Sequence, residues 1–92
     1  MKRIRFRFTK AKWNTKALAD ITRVFAEEFP DSEVLIVRAG QNMPILDFNI
    51  YVEDVDEEKI KKTEKRILEV MTEHDISHIV LRGVKVFDVE NQ

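Results

Sequence analysis

The sequence predicts an α+β sandwich, four strands in one antiparallel sheet with two helices against one of its faces. Three observations carry the prediction. Two stretches with helical spacing of apolar residues interrupt strand-like stretches in the order βαββαβ. The strand-like stretches alternate apolar and polar residues with a period of two, and each helical stretch opens on a capping residue. Right-handed crossovers take that order of elements to the strand order 4-1-3-2, the ferredoxin-like arrangement.

The first strand, "RIRFRFTK" at residues 3–10, places Ile4, Phe6 and Phe8 on one face and Arg3, Arg5 and Arg7 on the other. "WNTKALADITRVFAEEFP" sets Leu18, Ile21, Val24, Phe25 and Phe29 at helical spacing, with Asn14 as N-cap and Pro30 as the stop. Trp13 then stands just before the cap and Leu18 at the fourth helical position, the spacing of a hydrophobic staple. "SEVLIVRAG" and "PILDFNIYVED" read as the two strands of a hairpin, with "QNMP" as its turn. In the second of these, Leu46, Phe48, Ile50 and Val52 point inward and Asp47, Asn49, Tyr51 and Glu53 outward.

"VDEEKIKKTEKRILEVMTEHD" opens on Asp56 as N-cap, with Glu57 and Glu58 opposing the positive end of the helix dipole. Val55 and Ile60 repeat the staple spacing, and Ile60, Ile67 and Met71 form the buried stripe with Leu68 and Val70 beside it. "SHIVLRGVKVFDVE" is the last strand. Its alternation changes phase at Gly83, which marks a bulge or bend.

The 92 residues make one domain, 1–92, and 43% hydrophobic with 36% charged residues fits a folded, soluble chain. Sixteen basic residues against 17 acidic ones create no global field toward nucleic acid or an acidic membrane. The absence of cysteine excludes disulfides, zinc–cysteine sites, iron–sulfur clusters and thiol catalysis. No run of 18 apolar residues or signal-like segment occurs, so the expected compartment is the cytoplasm and no membrane partner is expected.

Arg3, Arg5 and Arg7 with Tyr51 are the candidate contact surface on the open sheet face. The simplest reading pairs the arginines with Asp47 and Glu53 on the neighbouring strand, so that the face is solvated and needs no ligand. Base-stacking recognition of RNA wants several exposed aromatics on the first and third strands, where only Tyr51 is offered. Sequence-specific RNA reading is therefore not expected. His74 and His78 have i,i+4 spacing with Asp75 next to the first, but a metal site needs one continuous helix, and Ser77 and His78 belong to the exit toward the last strand. No metal, no cofactor and no catalytic residue is expected: two glycines build no phosphate loop, and Ser32 and Ser77 stand at element boundaries.

"NTKALADITRVFAEEF" followed by "LDFNIYVEDVDEEKIKKTEKRIL" resembles the ACT domain, a ferredoxin-like regulatory module. The resemblance covers most of the chain, and Leu18 and Ile21 match the apolar positions of that family's first helix. It implies a ligand-binding turn at Trp13, Asn14 and Thr15, and self-association as a homodimer. The family's motif glycine falls on Lys16 and its aspartate near Trp13, so the implied amino-acid binding loses the close backbone approach that glycine gives. Three functions follow: a non-enzymatic ACT-like regulatory or self-association module; a scaffold with no activity of its own, an engineered chain included; and weak nucleic-acid binding through the open face.

Overall fold

The alternation of residues 3–10 becomes strand β1 (Lys2–Thr9) in a computed structural model that describes residues 1–9, 14–39, 45–77 and 80–89. It is followed by α1 (Thr15–Glu28), β2 (Glu33–Ala39), β3 (Ile45–Val52), α2 (Glu57–Glu73) and β4 (Leu81–Asp88). The four strands form one antiparallel sheet in the order β2-β3-β1-β4, the predicted ferredoxin-like topology.

Ile4, Phe6 and Phe8 of β1 and Leu46, Phe48 and Ile50 of β3 are buried under the helices, as the period of two requires. Phe25 of α1 ties the layers together, stacked on Phe48 at 4.7 Å between centroids and edge-on to Phe6 at 4.9 Å. Ala17, rather than Leu18, is fully buried in the first turn of α1, and Leu18 packs half-buried beside it. Thr63 is a buried polar residue within the stripe of α2, and its hydroxyl donates to the Lys59 carbonyl at 2.7 Å, which satisfies it.

Both caps form. Asn14 Oδ1 accepts from the backbone N–H of Lys16 and Ala17, and Asp56 Oδ1 from those of Glu58 and Lys59. Trp13 and the "QNMP" turn lie outside the described residues. At its far end α2 closes in a Schellman motif, with Ile76 N–H donating to the Met71 carbonyl and Asp75 N–H to that of Thr72. Asp75 takes the left-handed conformation this requires, at φ 58°, and the flanking Ile76 and Met71 are buried. The helices lie antiparallel, joined by His74 to Asp20 at 2.8 Å and by Arg66 to Glu27 and Glu28.

The phase change at Gly83 is a bulge. Arg7 pairs with Gly83 but Phe8 with Leu81, which leaves Arg82 as the extra residue, and Gly83 adopts φ +153°. Beyond the bulge Val84 and Val86 lie opposite Phe6 and Ile4 on the helix side. Lys85 and Phe87 therefore face the open side, opposite Arg5 and Arg3.

Candidate functional site: the open sheet face and the β2 edge

The register lays out the uncovered face. Arg3, Arg5 and Arg7 stand opposite Tyr51, Asn49 and Asp47 of β3, and opposite Phe87, Lys85 and Gly83 of β4. Arg7 meets Asp47 in a bidentate pair, Nε to Oδ1 and Nη2 to Oδ2, both at 2.9 Å. Asp47 is only 8% exposed, and its hydrogen bond raises the Arg7 guanidinium above its ordinary pKa. This part of the row is paired as expected.

Arg3 and Arg5 behave differently. Neither reaches Asp47 or Glu53; both guanidinium groups lie over the Phe87 ring, at 4.6 and 4.9 Å from its centroid. The cause is the bulge, which fixes the phase of β4 so that an aromatic ring is nearer than a carboxylate. Among the described residues Arg3, Arg5 and Lys85 have no ion-pair partner. Arg5 and Lys85 are directly opposite, an arrangement of like charges that destabilises a sheet.

Asn49 points to the same face, yet it is only 6% exposed. Its Oδ1 and the Nε atoms of Arg3 and Arg5 are shut off from solvent without a hydrogen-bond partner among the described residues. Each such orphan costs about 1–3 kcal/mol. Tyr51, the remaining residue of the expected surface, is half-buried beside Arg3. Phe87 and Lys85 were not singled out from the sequence, although the alternation Val84, Lys85, Val86, Phe87 places the aromatic on the same side as the lysine.

The two sheet edges differ. β4 is interrupted by its bulge and carries Arg82 and Lys85, devices that discourage edge pairing. β2 has no such interruption. Its centre exposes three consecutive apolar residues, Leu35 at 45%, Ile36 at 43% and Val37 at 38%, with charge only toward its ends at Glu33 and Arg38. Leu35 and Val37 lie on the open face beside Asn49 and Asp47, and Ile36 lies on the helix side beside Phe48.

The other expected sites resolve locally. Asn14 Oδ1 is engaged in capping, and Thr15 and Lys16 are exposed in the first turn of α1. α2 ends at Glu73, so His74 is its C-cap and is bonded to Asp20, while His78 lies outside the described residues. A groove of about 570 Å³ opens where β2 begins, between Phe29, Leu35, Tyr51 and Lys59; its rim of Glu33, Glu53, Asp54 and Asp56 is acidic. None of the described helices is long and apolar enough to cross a membrane. No protein-family model matches the chain and neither does any curated protein.

Proposed function

We propose that the chain is a non-enzymatic self-association module of the ACT-like kind, with β2 as the surface through which two copies join. The observation that carries this reading is the exposed run Leu35, Ile36 and Val37 on an edge strand with no bulge. In an antiparallel sheet half of the backbone N–H and C=O groups of an edge strand point away from its neighbour and can pair with another chain. A two-fold axis at Ile36 makes β2 complementary to itself: Leu35 falls opposite Val37 of the second copy, and Val34 opposite Arg38. The stem of Arg38 can lie along Val34 while its guanidinium stays in water.

The ACT-like part of the reading is supported by the βαββαβ order and by the position of Asn14 at the entry to α1. Amino-acid binding at that turn is not part of the proposal, because the Asn14 side-chain oxygen is already engaged by two backbone N–H groups and Lys16 stands at the glycine position. Hydrogen exchange at low and high protein concentration tests the proposal. The outward amides of β2 should gain protection as concentration rises; equal protection at both concentrations, with the chain monomeric throughout, would refute it.

A further inference from the structure

We propose that Arg3, Arg5, Lys85 and Asn49 form an oxyanion site on the open sheet face that takes the phosphate group of a small phosphate monoester. The three cations share one face on adjacent strands, with Lys85 directly opposite Arg5 and no carboxylate partner among the described residues. A phosphate monoester carries roughly −1.5 to −2 charges at neutral pH, which matches such a group and relieves the Arg5–Lys85 repulsion. Phe87 holds both guanidinium groups in place, so little freedom is lost when an anion arrives.

Asn49 is the second, independent observation. It lies directly opposite Arg5 and is only 6% exposed, and its Oδ1 is closed off from solvent without a hydrogen-bond partner among the described residues. The size of the occupant follows from what bounds the patch. At one end Arg7 is closed off by Asp47, and beyond Tyr51, at the other, stands Glu33. A long polyanion that runs past Arg7 or across β3 toward β2 would meet these carboxylates; a single phosphate group does not.

The test is NMR titration of the full chain with inorganic phosphate, AMP and adenosine. Phosphate and AMP should shift the amides of β1, β3 and β4 with dissociation constants in the range of about 0.1–1 mM, and adenosine should not. Arg5→Thr should weaken binding about tenfold or more, and Lys85→Thr, at an exposed position, guards against a loss caused by misfolding. No shift with AMP or phosphate at about 5 mM, or shifts unchanged in both variants, would overturn the site. So would binding of a single-stranded oligoribonucleotide, steeply salt-dependent, in the absence of any response to AMP and phosphate. Ile36→Lys should leave these shifts intact, so this site and the β2 interface succeed or fail separately.

Discussion

Replacing Ile36 by lysine should weaken association about 30- to 150-fold while leaving the monomer folded. Leu35, Ile36 and Val37 each retain about two fifths of their exposure in the monomer. Burying such residues completely is favourable by about 1.5–3 kcal/mol, so covering the exposed part gives about 0.6–1.2 kcal/mol for each and about 4–7 kcal/mol for both copies together. About six interchain backbone hydrogen bonds at roughly 1 kcal/mol net each add a similar amount. Association itself costs about 4–15 kcal/mol, so the dimer should be weak, with a dissociation constant between about 1 μM and 1 mM.

In the proposed register the two Ile36 side chains lie directly opposite one another, so the substitution removes both apolar contacts and sets two ammonium groups face to face. The loss is about 2–3 kcal/mol, or roughly 30- to 150-fold in affinity. The monomer should tolerate the change, because a lysine stem can cover the same helix-side surface and its head can reach water past the edge. Sedimentation equilibrium from micromolar to millimolar concentration measures this. Val86→Lys is the control, at a residue 43% exposed on β4, the opposite edge. A wild-type chain that stays monomeric at millimolar concentration, or an Ile36→Lys chain that associates as well as wild type, would refute the reasoning. Loss of association in Val86→Lys alone would move the interface to β4.

Three further outcomes follow from local geometry. Gly83→Ala should destabilise by about 1–2 kcal/mol in urea unfolding through backbone strain alone, since nothing lies within 4 Å of the added methyl group and φ is +153°. Asp75→Gly should stabilise by about 0.5–1 kcal/mol, because glycine takes the left-handed position of the Schellman motif without a Cβ penalty; an unchanged or lower unfolding midpoint would count against that account. The hydrogen bond from His74, helped by the charge of Arg23, holds the Asp20 carboxyl below its ordinary value of 3.8. Its stabilisation is thus present above that value and disappears as pH falls through the lower folded-state value, so Asp20→Asn should flatten the acid limb of the stability–pH curve. Matching acid limbs for the two proteins would show that the pair contributes nothing.

The fold was legible because each element carries its own signal: the period of two in β1 and β3, the caps at Asn14 and Asp56, and the phase change at Gly83. What could not be read locally depended on which strands end up as neighbours. The run Val34 to Val37 has the composition of a strand buried on both faces, and only its place at the edge of the sheet leaves three of its side chains exposed. Asn49 and Asp47 were correctly placed on the outer face, but their burial comes from adjacent strands. Arg7 opposite Asp47 followed from the strand order. The partners of Arg3 and Arg5 required the facing of β4, which one extra residue at the bulge decides.

The two proposed surfaces share the open face, and their separation determines whether they should influence each other. Joining two copies at β2 places the strands in the sequence β1, β3, β2, then β2, β3, β1 of the second copy, which puts five interstrand gaps between the arginine rows. At about 4.8 Å per gap the rows are about 24 Å apart, beyond the reach of one small phosphate monoester and beyond the Debye length of about 8 Å in physiological salt. Binding of phosphate should therefore leave the association constant unchanged within about twofold, since a ligand shifts an equilibrium only through differential affinity for its two states. Two local routes for coupling cross the β3–β2 pair, Asn49 beside Leu35 and the Arg7-bound Asp47 beside Val37. If the dissociation constant of the dimer moves about tenfold with saturating AMP, these contacts must transmit the effect, and Leu35→Ala combined with Val37→Ala should remove it. A tenfold coupling that survives both substitutions would mean that the interface does not lie along β2.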